Sequence, residues 1–191
     1  DYNELENEKF TKNDSNRCFH CRLELGDHLI AISKKYDIQV IVDGTNLDDL
    51  GEYRPGIEAL RQNDIKSPLV ETNFSKSQIR DTAKLIGLSV YDKPSNSCLA
   101  SRIPWGQRVT AEKLTRIEFG ETIVKQLTKI QQVRVRDING SAKIEVNKEM
   151  ISLFDAKLLK QITMKLKMLG FTAVGLDQDG YKPGKINVIA D

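Results

Sequence analysis

The run Ile38-Gln39-Val40-Ile41-Val42 is the sequence feature that most constrains the fold. It is short, rich in β-branched residues and almost free of polar ones, which is typical of a strand buried on both faces of a parallel sheet. Apolar residues at helical spacing precede it over 18–36, and further helical patterns and a second short run, Leu88-Ser89-Val90-Tyr91, follow it. This alternation predicts an α/β fold with a doubly wound parallel sheet.

The character of the sequence changes after the proline-containing segment 92–106, which is predicted to be a long loop. Beyond it, Asn139-Gly140 lies between two short apolar runs, which is a strong signal for a β-hairpin. The second part is predicted to have the order αββαβ, with helices over 110–127 and 155–169, hairpin strands near 133–136 and 142–146, and a last strand near 171–176. We therefore expect a nucleotide-binding domain at 1–106 and a small α+β domain at 107–191.

Composition excludes several classes of protein. With 29 basic and 27 acidic residues the net charge is +2, which excludes a histone-like polyanion binder but leaves room for a local phosphate site. No apolar run approaches the roughly 20 residues of a membrane span, and the polar first residues do not form a signal peptide. The three cysteines argue against a disulfide framework and for a reducing, cytoplasmic setting.

Cys18 and Cys21 form a C-x-x-C motif at the start of a predicted helix, where the helix N-terminus stabilises thiolates. The residues leave several interpretations open. Cys98 with His20 or His28 could complete a four-ligand zinc site. Alternatively, the three thiolates could hold a 4Fe-4S cluster through three irons and leave the fourth iron open. Thiols without a function also remain possible, whereas a thioredoxin-like pair is disfavoured because the motif precedes its nearest strand.

Polar residues at two other places could bind phosphate or nucleotide. Asp43-Gly44-Thr45-Asn46 and Asp49 follow the clearest strand, where carboxylates can bind Mg²⁺ or ribose, although an ordinary turn has the same pattern. Arg134 and Arg136 alternate on one strand and point to one face about 7 Å apart. Such a pair fits a phosphate, or is the solvated face of a hairpin.

Together these segments resemble the LarE family, the ATP-dependent sulfur transferases that mature the nickel-pincer cofactor of lactate racemase. The resemblance covers almost the whole chain in the right order. Its most specific part is Lys93-Pro94-Ser95-Asn96-Ser97-Cys98-Leu99-Ala100-Ser101-Arg102. In this run Arg102 lies four residues after Cys98, and a nearby cation favours the reactive thiolate form of a cysteine.

The resemblance implies an N-type ATP pyrophosphatase, or PP-loop, fold that uses ATP and Mg²⁺. Members adenylate a carboxylate of a pyridinium-3,5-biscarboxylic acid mononucleotide and replace the activated oxygen with sulfur to give thiocarboxylates. In one branch the sulfur comes from a sacrificial cysteine matched by Cys98. In the other, a C-x-x-C joins that cysteine to hold a 4Fe-4S cluster whose extra sulfide is transferred. Cys18, Cys21 and Cys98 place this sequence with the cluster branch, with Cys98 as the catalytic residue.

The resemblance also assigns the binding residues and partners. Arg134 and Arg136 correspond to the substrate-phosphate arginines, and Glu121 and Glu145 to acidic residues near that site. The nucleotide side comprises Asp43, Gly44, Thr45, Asn46 and Asp49, with Arg102 also assigned to binding. The expected partners are the mononucleotide, a sulfide donor and further copies of the chain in a homo-oligomer, with no tRNA and no membrane.

One departure from the family pattern concerns the pyrophosphate loop, Ser-Gly-Gly-x-Asp-Ser. It is absent, and no Gly-Gly pair occurs in the sequence. We therefore expect that the chain begins partway through the nucleotide domain, that residues 1–16 are a cut edge, and that this polypeptide alone does not adenylate a substrate. Two alternatives stay open: a tRNA thiolase of the 2-thiocytidine synthetase type, and a non-catalytic binding module stabilised by zinc.

Overall fold

The fold is described from a computed structural model, which covers residues 2–51 and 54–182. The chain divides into two compact units. The first unit comprises Asp1–Phe10 and Asp14–Lys93, and the second comprises Thr11–Asn13 and Pro94–Asp191. The segment that contains Cys98 therefore groups with the second unit.

The first unit is built of helices in the residues that the structure describes. They are α1 (Glu8–Thr11), α2 (Arg17–Lys35), α3 (Pro55–Gln62), α4 (Pro68–Glu71) and α5 (Lys76–Leu85), with short 3₁₀ turns at Glu4–Glu6 and Leu47–Gly51. Helix α5 begins with a capping box, in which Ser75 and Gln78 satisfy each other's backbone N–H groups. Just beyond its end, Gly87 has a φ of +78°, as is common after a helix.

Helices α2 and α3 pack closely because glycines face the contact. A Cβ on Gly26 would lie 2.0 Å from Nδ2 of Asn63, a group that donates a hydrogen bond to the Leu23 carbonyl. A Cβ on Gly56 would lie 2.8 Å from the Arg22 side chain and 3.3 Å from the Cys18 carbonyl. The start of α2, which carries the C-x-x-C motif, is thus held directly against α3.

We expect Gly26→Ala to lower the free energy of unfolding by about 1–2 kcal/mol, because overpacking and the lost Asn63 hydrogen bond outweigh the gain of about 1 kcal/mol in helix propensity. Urea denaturation measures the change. Gly51→Ala is the matched control, since a Cβ there meets no atom within 4 Å. A Gly26→Ala protein as stable as the Gly51→Ala protein would contradict this packing.

The strands predicted in the first unit are wrong for the residues that the structure describes. Val42 forms only an isolated parallel bridge with Lys66, and Ile38, Val40 and Val42 are 49%, 60% and 58% exposed. In the second predicted strand, 88–91, residues 89–91 form a turn. A β-branched run becomes a strand only when neighbouring backbone pairs with it, and here the pairing stops after the hydrogen bonds around Lys66. The mixed α/β class is retained, but the described residues of the first unit form no doubly wound sheet.

The second unit has the predicted order αββαβ. Helix α6 (Ala111–Thr128) is followed by β1 (Arg134–Ile138), β2 (Ser141–Glu145), α7 (Ala156–Met168) and β3 (Ala173–Leu176), with 3₁₀ turns at Leu99–Arg102 and Lys148–Leu153. Strand β1 pairs with β2 in antiparallel register, and β2 pairs with β3 in parallel. Asn139 and Gly140 have φ values of 49° and 83°, so the predicted hairpin turn is confirmed.

The core of the second unit lies between the sheet and helices α6 and α7. Its apolar side chains are at most 2% exposed: Ile117, Val124, Val135, Ile144, Ile162, Leu166 and Phe171. Gly120 allows α6 to approach the sheet and α7, since a Cβ there would lie 3.1 Å from Leu166 and 3.5 Å from Val135.

No helix among residues 2–51 and 54–182 combines the length and apolar character that a membrane crossing requires.

A short segment near the start of the chain completes the second unit. The Asn13 side chain is buried and donates to the carbonyls of Ile103, Pro104 and Gln107 at 3.3, 2.8 and 2.7 Å. The backbone adds bonds from Gly106 N to the Asn13 carbonyl and from Val109 N to the Thr11 carbonyl. These contacts fix the path of the chain from the Cys98 segment into α6.

Candidate functional site

The C-x-x-C thiols lie in the first turns of α2. Cys18 is exposed, Cys21 is half-buried, and neither forms a disulfide. An Arg17 N–H donates to Cys18 Sγ at 3.6 Å, and the Cys21 thiol donates to Glu4 Oε1 at 3.2 Å. The two thiols therefore have different neighbours, a cation beside Cys18 and a carboxylate beside Cys21.

Tyr2, just before the 3₁₀ turn, and Glu4 in that turn lie against this helix. The Tyr2 ring stacks on His28 with the ring centroids 4.5 Å apart, and its hydroxyl donates to Glu4 Oε1 at 3.2 Å. Burial raises the pKa of the Tyr2 phenol to about 12, and the charge of Glu4 adds to this effect. The sequence pattern contains no signal for these contacts, because the two apolar residues among positions 2–6, Tyr2 and Leu5, form no helical or strand pattern.

The turn that follows Val42 is ordered by its own hydrogen bonds. The Asp43 carboxylate accepts from the Ser67 hydroxyl at 2.7 Å and from Thr45 N at 3.2 Å. Asp49 accepts from the Asn46 side chain at 2.8 Å and pairs with Arg54 at 3.1 Å. A Cβ on Gly44 would meet no atom within 4 Å, so space is open beside the turn.

Thr45 and Ser67 also line a cavity of about 240 Å³ in the first unit. Pockets for whole drug-sized ligands measure roughly 300–1,000 Å³, so this cavity has room for only part of such a ligand. The five residues assigned to the nucleotide side are thus grouped in one turn, where backbone and side chains already bind each other.

Cys98 is exposed and lies in the second unit. The backbone on both sides of it is held by three arginines. Arg134 donates to the Ser95 carbonyl at 2.8 Å, and Arg136 donates to the Ser101 carbonyl at 2.8 Å. Arg102 donates to the carbonyls of Ser97 and Cys98. We call residues 95–101 the Cys98 loop.

Arg102 is completely buried, and its guanidinium joins the Cys98 loop to α6. Nε donates to Glu121 Oε1 at 2.8 Å and Nη2 donates to Glu121 Oε2 at 3.3 Å. Glu121 Oε1 also accepts from the Val135 backbone at 3.2 Å, which ties the pair to β1. Arg102 therefore contacts the carbonyl of Cys98, and its Nε, Nη1 and Nη2 groups all donate to acceptors of the protein itself.

Arg134 and Arg136 lie on the same face of β1, as the alternation predicts, but this face is not solvated. Their residues are 3% and 4% exposed. Arg136 pairs with Glu145 at 2.7 Å, whereas Nε of Arg134 is a buried nitrogen without a hydrogen-bond partner among the described residues. Burial lowers the pKa of the Arg134 guanidinium from its ordinary value, and the charge of Arg102 lowers it further.

The structure thus sorts the predicted residues into two groups. The second unit brings together Arg102, Glu121, Arg134, Arg136 and Glu145 beneath the Cys98 loop, while the first unit contains Cys18, Cys21 and the Asp43–Asp49 turn. Over the residues described, neither unit by itself places three His, Cys, Asp or Glu side chains to hold a metal ion. The three-cysteine site requires thiols of both units and stays a prediction.

Sequence reasoning assigned no role to Tyr181, whose ring lies beside both arginines. The distance from its centroid to Cζ is 5.5 Å for Arg134 and 6.0 Å for Arg136. The sequence signal nearby is the glycine before it. Gly180 adopts a φ of +76°, a conformation that glycine tolerates and other residues rarely adopt.

Comparison with known proteins identifies relatives, although no family model matches the chain. The chain is 39% identical to the uncharacterised protein slr1717 of Synechocystis sp. over 97% of its own length and 69% of that protein. It is 31% identical to the uncharacterised protein MJ0830 of Methanocaldococcus jannaschii over 92% of its length and 68% of that protein.

A third relative has a described activity. Over 77% of its length the chain is 31% identical to the pyridinium-3,5-bisthiocarboxylic acid mononucleotide synthase of Lactiplantibacillus plantarum. The chain spans about half, 52%, of that protein. The two longer matches each cover more than two thirds of the relative, so the chain belongs to the protein family that includes slr1717 and MJ0830.

Proposed function

We propose that this chain is part of a sulfur transferase that converts a carboxylate of a phosphorylated pyridinium nucleotide into a thiocarboxylate for a nickel-pincer cofactor. The name of the Lactiplantibacillus plantarum relative, a pyridinium-3,5-bisthiocarboxylic acid mononucleotide synthase, supports the product class. The observation that carries the proposal is the buried Arg134–Arg136 pair, which has one N–H unpartnered among the described residues and lies directly beneath an exposed thiol loop.

The charge balance of this site favours an anion. Among the described residues, Arg102 pairs with Glu121 and Arg136 pairs with Glu145, so the three buried guanidinium groups of this site, with that of Arg134, face two paired carboxylates. Because burial makes an uncompensated charge costly, a bound phosphate would balance the excess cation. The fork of N–H donors on arginine matches phosphate oxygens, and Nε of Arg134 can supply one of these donors. We assign the substrate phosphate to this pair.

The sulfur-carrying residues are Cys98, Cys18 and Cys21 in this proposal. All three are thiols outside any disulfide and at least partly exposed, so the donor set suits a soft metal centre such as a 4Fe-4S cluster. When bound, such a cluster supplies an open iron for an extra sulfide. The chain itself contributes the exposed Cys98, held by a loop whose carbonyls bind the proposed phosphate arginines.

We assign the activation of the carboxylate by ATP and Mg²⁺ to one turn of the first unit. The residues of this turn are Asp43, Gly44, Thr45, Asn46 and Asp49. Its hydrogen bonds hold the carboxylates of Asp43 and Asp49 in place, and the open space at Gly44 allows a ligand to approach the backbone. Adenylation is proposed for the whole protein, as is its assembly into a homo-oligomer.

Arg134→Ala tests the phosphate assignment. We expect it to weaken the binding of nicotinic acid mononucleotide, a pyridinium nucleotide with the same phosphate, about 10- to 100-fold, since hydrogen bonds between charged groups contribute about 1.5–3 kcal/mol. Isothermal titration calorimetry measures the affinity. Binding of the corresponding nucleoside, which lacks the phosphate, should not change.

The control is Lys165→Ala, which removes one exposed positive charge from α7 and should leave both affinities unaltered. An Arg134→Ala protein that binds the mononucleotide as tightly as the unmodified chain would place the phosphate elsewhere.

A further inference from the structure

The ring of Tyr181 lies against two neighbouring cations, Arg134 and Arg136, at 5.5 and 6.0 Å from their Cζ atoms. A cation within about 6 Å of a ring centroid is attracted by the negative face of the aromatic ring. Tyr181 is half-buried, whereas the two arginine residues are almost fully enclosed. One aromatic ring therefore lies close enough to attract both arginines of the proposed phosphate pair.

The backbone fixes the position of this ring. Tyr181 N donates to the Val146 carbonyl at 2.8 Å, which extends the hydrogen bonding beyond the end of β2. At Gly180 a Cβ would lie 3.0 Å from Lys148 N and 3.1 Å from the Val146 carbonyl, and φ is +76°. Only glycine fits there without strain, so the chain is built to bring the next residue to one place.

Arg134 depends on this ring more than Arg136 does. Arg136 has a carboxylate partner, Glu145, at 2.7 Å. Within the described residues, Arg134 forms no ion pair, and its hydrogen bonds go to the carbonyls of Val133 and Ser95. Its own charge is therefore balanced only by groups at longer range and by the π face of Tyr181.

We infer that Tyr181 is a positioning residue of the phosphate site, an assignment that rests on the proposed function. Its ring holds two like-charged guanidinium groups side by side and keeps Nε of Arg134 directed away from protein acceptors. Without the ring, the Arg134 guanidinium would be held by its two carbonyl acceptors alone, and phosphate binding would first have to order it beside the like charge of Arg136.

The test compares Tyr181→Leu and Tyr181→Phe in the 191-residue chain, with calorimetric titration of nicotinic acid mononucleotide. Cation–π contributions of this kind predict that Tyr181→Leu weakens binding about 5- to 10-fold, while Tyr181→Phe retains the affinity within about twofold. A role in stability alone would lower the thermal midpoint without this difference in affinity. Tyr36→Leu is the matched control, since Lys35 lies 5.4 Å over that exposed ring.

Tyr181→Met, which is also non-aromatic, replaces Tyr181→Leu if the leucine protein does not fold. Equal affinity of the non-aromatic variant and the unmodified chain overturns the positioning role, as does equal loss in Tyr181→Phe and the non-aromatic variant. Failure of the proposed function has a different result: Arg134→Ala itself then leaves mononucleotide affinity unchanged. A loss in Arg134→Ala with no loss in the non-aromatic variant overturns only the inference on Tyr181.

Discussion

Replacing Glu121 with alanine is expected to lower the free energy of unfolding by about 3–5 kcal/mol, because it leaves the Arg102 guanidinium buried without its carboxylate. Arg102 is 0% exposed, and two of its donors bind the two Glu121 oxygens. The change also removes the acceptor of the Val135 backbone N–H near the start of β1. Denaturant unfolding monitored by circular dichroism measures this loss.

The same helix supplies a control for this prediction. Glu112 also pairs with an arginine, Arg116, but its side chain is 82% exposed, so Glu112→Ala should cost at most about 1 kcal/mol. The double variant Arg102→Met with Glu121→Leu removes both charges and should be more stable than Glu121→Ala alone. If Glu121→Ala and Glu112→Ala unfold at the same denaturant concentration, the buried pair does not stabilise this unit.

Replacing Cys98 with serine is expected to remove nearly all bound iron after anaerobic reconstitution with iron and sulfide, from about four irons per chain to near zero. Serine offers a hard oxygen in place of a soft thiolate, and a cluster held by three protein ligands does not survive with two. Cys18→Ser and Cys21→Ser should give the same result if all three thiols serve one centre. Iron, acid-labile sulfide and zinc analysis provides the measurement.

Ser95→Ala is the control in the same loop, because Ser95 is exposed and contributes its backbone carbonyl to Arg134. It should retain the full iron content. Iron that persists in Cys98→Ser would contradict the three-cysteine site. One zinc per chain with neither iron nor sulfide would favour the zinc-stabilised alternative instead.

Sequence reasoning succeeded where structure is encoded locally. Helix α6 begins after Thr110, whose side chain accepts from Lys113 N, and α7 begins after Asp155, which accepts from Leu158 N. The Asn139-Gly140 turn adopts the positive φ values that its residues favour. Each of these features depends on a few neighbouring residues, which a sequence pattern displays directly.

The features that the sequence could not reveal depend on distant residues. The run Ile38–Val42 has the composition of a buried strand, but strand formation requires partners that composition does not specify. Arg134 and Arg136 share one face as alternation predicts, yet both are buried against the Cys98 loop. The loop residues that they contact lie 39 and 35 positions earlier in the sequence. The contacts of Arg102 with Glu121 are also between residues far apart in the sequence.

The contacts of Asn13 would be lost if this protein were divided at Pro94. A fragment that starts there would lack Thr11–Asn13 and would leave the carbonyls of Ile103, Pro104 and Gln107 without the amide that binds them. The two pieces of the second unit are separated along the chain by most of the first unit. An internal deletion that joins residues 11–13 to residue 94 through a flexible linker therefore keeps both pieces of this unit in one chain.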